Sequence, residues 1–366
     1  MNKDTLRAIL NIVGILVCLY LFLVGINGMS AAIKGMGSEF AEKILSTTSN
    51  PFIALFIGTF ATVLFQSSST TTSMIVSMVS GGVLSLGGAI PMIMGANIGT
   101  TVTNTIVSMG HINRGNEFKR AFAASTIHDI FNVITTAILF PLEYYFHFLE
   151  KGAILMGTFL FGNVTPDNVF HSPVKDVVKW GTSQIKFISF GNNIFFLVLS
   201  VGITLFMLIL IVKLLRIMVL AKVEVFFDKY IFKTAIRAMI FGGLLTVMVQ
   251  SSSITTSLVV PLAGAGVLTL RQIFPYTLGA NIGTTATAII AALTLNVTAL
   301  VAAFAHLLFN ICGILIIYPI PFLRNIPIFL AEKLAELSVR NKSIPILFIL
   351  VVYVIIPLTV ILIGEL

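Results

Sequence analysis

A seven-residue string, Gly95-Ala96-Asn97-Ile98-Gly99-Thr100-Thr101, returns 184 residues later as Gly279-Ala280-Asn281-Ile282-Gly283-Thr284-Thr285. Gln66-Ser67-Ser68-Ser69 returns at the same offset as Gln250-Ser251-Ser252-Ser253. Between 66–103 and 250–287, 21 of 38 positions are identical without a gap, a register that chance does not give. After a six-residue shortening the match resumes at offset 178, pairing His128, Phe131, Asn132 and Pro141 with His306, Phe309, Asn310 and Pro319. The chain is a duplicated unit, and any fold proposed for it must contain two related halves.

Composition names the solvent of those halves. Of 366 residues, 57% are hydrophobic and only 10% charged, against about 25% charged in ordinary soluble domains. Lipid must therefore surround most of the surface, which makes the net charge of +8 a matter of basic cytoplasmic loops rather than nucleic-acid binding. Two cysteines and five histidines without clustering exclude a disulfide framework and argue against a metal enzyme. No nucleophile–base constellation is visible either, so an enzyme is the least favoured class.

A membrane-spanning helix needs about 20 apolar residues. Stretches 8–28, 121–141, 191–215 and 299–318 meet that requirement, and 344–363 meets it with a kink expected from Pro345 and Pro357. The first stretch is long for a signal peptide and reads as a retained helix. Regions 51–109 and 238–293 are different, because short apolar runs alternate with polar or glycine-rich patches. Irregular backbone at membrane depth survives only where protein or a cavity surrounds it. These regions read as re-entrant hairpins and broken helices around a polar site.

Loop charge sets the orientation. Linker 213–237 carries six Lys/Arg against Glu224 and Asp228, loop 110–120 carries Arg114, Lys119 and Arg120 against Glu117, and Lys3 and Arg7 precede the first span. All three are expected in the cytoplasm, the polar 142–190 stretch outside, and the C-terminus outside. Trp180 and the amphipathic 173–190 stretch read as an interfacial segment. An odd number of crossings between equivalent points inverts the second repeat. The expected fold is an all-α membrane protein with two inverted-topology repeats, each holding a re-entrant hairpin and a broken helix, plus framing helices. Repeat one is 1–141 (core 51–141) and repeat two is 191–319 (core 238–319), separated by external loop 142–190 and followed by a linker and last helix at 320–366. That is the architecture of secondary transporters.

The motifs suggest the cargo. Serine hydroxyls and a glutamine amide both donate and accept, and backbone N–H groups at a half-helix N-terminus attract anions. The tips Gln66–Ser69 and Gln250–Ser253, inverted and facing each other, would form a neutral, donor-rich cup for a tetrahedral oxyanion. In the Gly-Ala-Asn-Ile-Gly-Thr-Thr strings, glycines are expected to unwind the helix and release carbonyls. Asn97, Thr100, Thr101, Asn281, Thr284 and Thr285 would then add neutral oxygens for sodium. Asp129 is the one acidic residue well inside a span, and its repeat counterpart is Leu307. An intramembrane carboxylate is functional by default, so Asp129 reads as a charged cation ligand that only one half supplies. The plainer reading holds for lone residues: Thr204 is expected to bond its own helix, Gly81, Gly82, Gly264 and Gly266 to serve helix packing, and His128 and His306 to be packing hydrogen-bonders.

At these motifs the sequence closely resembles the type II sodium–phosphate cotransporters, the Na/Pi-cotransporter family. The resemblance runs from about residue 50 to 360, through Gln66–Ser69, Gly95–Thr101, Asn104-Thr105-Ile106-Val107, Arg120-Ala121-Phe122-Ala123 and His128-Asp129-x-Phe131-Asn132. It implies sodium-driven uptake of inorganic phosphate, with phosphate between the two Gln-Ser-Ser-Ser tips and Thr105 and Asn132 among the cation ligands. It also implies electrogenic transport, since relatives with an aspartate matching Asp129 are electrogenic and those with glycine electroneutral. His111 and Arg114 stand where vertebrate relatives carry a cation-site Gln and Asp, a departure from the family pattern. The external loop lacks the vertebrate cysteine pairs, and with the short termini this points to a bacterial inner membrane. No resident cofactor is expected, only transported sodium, and the oligomeric state is not legible. The alternatives are sodium-coupled transport of another oxyanion or a dicarboxylate, and a passive anion pore, which the lack of a basic ring disfavours.

Overall fold

The structure, a computed structural model, describes residues 3–162, 173–226 and 231–364, with side chains at all of these except 3–9, 101, 173, 174 and 215–226. Among the described residues it is helical throughout. The elements are α1 (Lys3–Gly35), α2 (Ser38–Thr48), α3 (Pro51–Phe65), α4 (Ser68–Gly81), α5 (Leu86–Ile98), α6 (Val102–Met109), α7 (Gly115–Phe146), α8 (Phe148–Phe161) and α9 (Pro173–Ile188). They continue with α10 (Asn193–Phe226), α11 (Ala235–Val249), α12 (Ser252–Gly264), α13 (Leu270–Ala292), α14 (Val297–Ile317), α15 (Pro321–Arg340), α16 (Ile344–Leu350) and α17 (Ile356–Gly364).

Five helical segments are long and apolar enough to cross a membrane: Leu10–Gly35, Gly115–Phe146, Asn193–Leu214, Val297–Ile317 and Ile344–Gly364. They coincide with the five apolar stretches, extended where polar residues continue the helix. The α2–α3 pair, bent by 100°, passes the same test as a sixth candidate. The spans α7 and α14 are largely buried, whereas α10 and the last span expose apolar faces, with Val198, Phe206, Ile209 and Ile363 among the exposed side chains. Exposed apolar surface of that extent fits hydrocarbon rather than water. The last span carries a π-helical stretch at Val351–Ile355, just before Pro357.

The core is built from small-residue contacts. A Cβ added at Gly58 would sit 1.9 Å from the Met92 carbonyl oxygen, and one at Gly95 would sit 1.8 Å from that of Leu55. The repeat reproduces both: Gly242 against Tyr276 at 2.1 Å and Gly279 against Met239 at 1.8 Å. Glycine thus lets α3 approach α5, and α11 approach α13, to backbone contact. A second set of glycines fixes the frame. Gly14, Gly25, Gly28 and Gly35 of α1 meet Leu214, Thr204, Ser200 and Asn193 of α10, so contacts descend along α10 as they ascend along α1, and the two helices run antiparallel.

Three expectations are corrected. The helix break at the Gly-Ala-Asn-Ile-Gly-Thr-Thr strings occurs only in the first copy, as a 3-10 turn at Gly99–Thr101 between α5 and α6. The second copy lies inside the unbroken 23-residue α13, about 34 Å long at helical rise. The glycines there serve close packing against α11, and tertiary packing overrides their weak helix propensity. Gly82 and Gly266, expected to pack helices, instead adopt φ of 78° and 77° after α4 and α12, a left-handed turn that glycine makes without steric cost. The 320–343 linker is mostly the helix α15, which packs along α7 through Ile328, Ala331 and Ala335.

Candidate functional site

Each Gln-Ser-Ser-Ser motif turns the chain between two short helices. Gln66 and Gln250 take left-handed conformations, φ 53° and 54°, as C-caps of α3 and α11. Ser67 and Ser251 then cap α4 and α12, their hydroxyls accepting from Thr70 N and Ile254 N. Ser68, Ser69, Ser252 and Ser253 occupy the first turns, all buried, where N–H groups lack intrahelical partners. The glutamine amides close the turns: Nε2 donates to the Val63 or Val247 carbonyl at 2.6 Å, and Oε1 accepts from Thr103 at 2.9 Å or Thr287 at 2.7 Å. In this conformation the glutamines hold the tips in shape.

The tip of the second repeat reaches into the first. Ser253 Oγ donates to the Thr100 carbonyl at 3.2 Å, in the 3-10 turn. Asn104 Nδ2 donates to Thr256 Oγ1 at 2.7 Å, and its Oδ1 accepts from Ser257 at 2.6 Å. The counterpart of Asn104 is Ala288, so this tie exists on one side only.

Behind the tips, the two strings meet in a buried chain of amides and imidazoles. Asn281 pairs through Oδ1 with His128 Nε2, and its Nδ2 donates to Asn132 Oδ1 at 2.8 Å. Asn132 Nδ2 donates in turn to the Asn97 carbonyl at 2.9 Å. Asn97 Nδ2 donates to Ile93 O, and its Oδ1 faces His306 Nε2 at 3.3 Å. An amide oxygen can only accept, so both histidines must carry the proton on Nε2. Each half therefore offers its asparagine to the other half's histidine. His128 and His306 are packing hydrogen-bonders as expected, and here they join the halves.

Among the cation candidates, Thr100, Thr284 and Thr285 donate to Ala96 O, Ala280 O and Ile282 O of their own helices. A hydroxyl that donates keeps its lone pairs for a cation. The side chain of Thr101 lies outside the described residues. Thr105 is buried with an unpartnered hydroxyl. Asp129 is buried with no hydrogen bond to either carboxylate oxygen. Within the α10 span, Thr204 bonds the Ser200 carbonyl of its own helix, as expected. His111 and Arg114 both pair with Glu117.

Sequence reasoning missed three of the oxygens at this level. Thr62 and Thr246, 184 residues apart, bury unpartnered hydroxyls beside Gly99 and Gly283, and extending the self-comparison four residues upstream would have paired them. Tyr353, in the π-helical stretch, buries its hydroxyl beside Asp129, the two interacting without forming a hydrogen bond of good geometry. No repeat counterpart and no motif flags that residue.

The fold and site together define a polytopic α-helical membrane protein that encloses uncharged polar groups and the Asp129 carboxylate. The Na+/Pi-cotransporter family profile matches residues 21–162 and 203–314, and the chain belongs to that family. It is 34% identical to the human sodium-dependent phosphate transport protein 2B, over 93% of this chain and 63% of that protein. The rat sodium-dependent phosphate transport protein 2A is likewise 34% identical, over 93% of this chain and 65% of that protein. The chain thus spans under two thirds of the length of these relatives. No solved structure matches it.

Proposed function

We propose that the protein is a sodium-coupled symporter that imports inorganic phosphate by alternating access. The observation that carries this reading is the paired, buried tip: two helix N-termini rich in hydroxyls, built alike at a 184-residue offset and free of fixed positive charge. Such a tip suits a divalent oxyanion that must be released again. Gln66–Ser69 and Gln250–Ser253 are the phosphate ligands in this account. Asn97, Thr100, Thr101, Thr105, Asp129, Asn132, Asn281, Thr284 and Thr285 supply sodium sites, with Asp129 the one full charge. A divalent anion entering a low-dielectric site needs neutralising cations, and membrane potential drives each surplus positive charge with about 2.3 kcal/mol per 100 mV. That coupling makes transport electrogenic.

The antiparallel run of α1 against α10, which occupy corresponding places in the two repeats, supports inverted topology. So does the reciprocal pairing of each asparagine with the other half's histidine. In this reading residues 1–141 and 191–319 are the repeats, the tips and strings form the moving core, and α1, α10 and the last span form a frame in the cell membrane. The relatives' names, sodium-dependent phosphate transport proteins, support both substrates. Sodium-dependent current and labelled phosphate flux recorded on one proteoliposome preparation test the reading. Net positive charge should accompany each phosphate inward, and flux without current would remove electrogenicity. Arsenate should compete, whereas a dicarboxylate competing more strongly than arsenate would favour a different cargo.

A further inference from the structure

A polar cavity of about 410 Å³ lies away from the tips and is lined by Lys34 of α1, Lys175 and Lys179 of α9, and Asn27, Ser80 and Asn296. Lys175 is buried, its Nζ donating to the Leu295 carbonyl at 2.5 Å, while Lys34 and Lys179 are exposed. Burial, and then the positive charges of Lys179 and Lys34, hold the Lys175 ammonium below the usual lysine range, and Asp176 is the one acidic group acting on it. Three ammonium groups less one carboxylate leave a surplus of two positive charges. Concentrating like charge against a buried lysine is unfavourable unless an anion answers it. The rim carries uncharged polar groups as well: Asn27 Nδ2 donates to Thr294 Oγ1 at 2.9 Å, and Ser30 Oγ donates to Ser80 Oγ at 3.2 Å, which leaves the Ser80 hydroxyl proton for an anion. Helix α4 runs from its serine tip to this cavity, reaching it at Ser80 in its last turn, a distance of about 20 Å at helical rise.

We propose that this cavity is a capture site for a divalent phosphate-class oxyanion, where the anion waits before reaching the tips. The inference rests on the transport reading. At about 20 Å the lysines lie beyond the Debye length of about 8 Å in physiological salt, so they cannot contribute to binding at the tips. They raise the local anion concentration and the rate of entry instead. The same chemistry would accept a lipid headgroup phosphate.

The test replaces the two exposed lysines together, Lys34→Gln with Lys179→Gln, and measures initial phosphate uptake in proteoliposomes at low and high ionic strength with sodium held constant. The apparent KM should rise about three- to tenfold at low salt with kcat unchanged, and its salt dependence should flatten. The Lys34→Arg/Lys179→Arg pair should restore both. Equal KM and equal salt dependence in variant and wild type, with uptake intact, would overturn the capture site and leave transport standing. No sodium-dependent uptake by the wild type would overturn the transport reading. Equilibrium binding of labelled phosphate to the detergent-solubilised protein then decides the capture site alone, by salt-sensitive binding that the double variant loses or retains. Vesicles with and without anionic lipid separate the two sources of phosphate: a higher wild-type KM in anionic vesicles, absent in the variant, marks a headgroup in the site, and equal values mark free phosphate.

Discussion

At the scale of the residue, the buried oxygens of Asp129 and Tyr353 separate stability from function. Tyr353 buries its hydroxyl beside Asp129 without a hydrogen bond of good geometry, so Tyr353→Phe should cost little stability. If that hydroxyl serves a cation beside Asp129, the same change should raise the sodium concentration for half-maximal uptake several-fold while thermal unfolding stays put. An unaltered sodium dependence would confine Tyr353 to packing. Asp129→Gly is expected to abolish the current per phosphate and spare part of the uptake, and wild-type current per phosphate in this variant would contradict the role given to Asp129. Asp129 was legible because a carboxylate inside an apolar run stands out in any sequence. Tyr353 was not, because it has no repeat counterpart and only packing sets it beside Asp129, whereas Thr62 and Thr246 carried a repeat signal four residues beyond the matched block.

Elements in this fold are held apart or together by glycine. Gly95→Ala or Gly279→Ala would drive a methyl into a carbonyl oxygen 1.8 Å away, where backbone rather than a flexible side chain must yield. Each should cost about 3 kcal/mol or more and sharply lower the unfolding temperature in detergent. Gly202→Ala, with nothing within 4 Å, is the control and should be close to neutral. A smaller effect belongs to the clasp between halves: a double-mutant cycle of His306 and Asn97 should give a coupling of about 1 kcal/mol. Helix existence was legible from run length, since hydrocarbon thickness sets it. Helix ends were not. The start of α7 at Gly115 and all of α15 are rich in charge, so hydropathy passes over them although tertiary contacts keep them helical. The continuous α13 shows the converse: its glycines read as breaks, yet they are what allows α11 to lie against it.

For the whole molecule, the two halves predict opposite sidedness at equivalent sites. Ser85 and Thr269 are exposed helix-capping residues 184 positions apart. With Cys18 and Cys312 replaced by alanine, Ser85→Cys and Thr269→Cys should react with an impermeant maleimide from opposite faces of a sealed vesicle, and labelling from one face would contradict the inverted topology. Duplication was plain in the sequence because the strings repeat without gaps, whereas the one-sided features, the tie of Asn104 to the second tip and the approach of Tyr353 to Asp129, involve positions that the repeat does not share. The central claim is coupling. Labelled phosphate uptake into proteoliposomes should rise above equilibrium under an inward sodium gradient and fall to equilibration when that gradient is collapsed. Accumulation that persists without the gradient, or uptake that never exceeds equilibrium with it, would contradict the account.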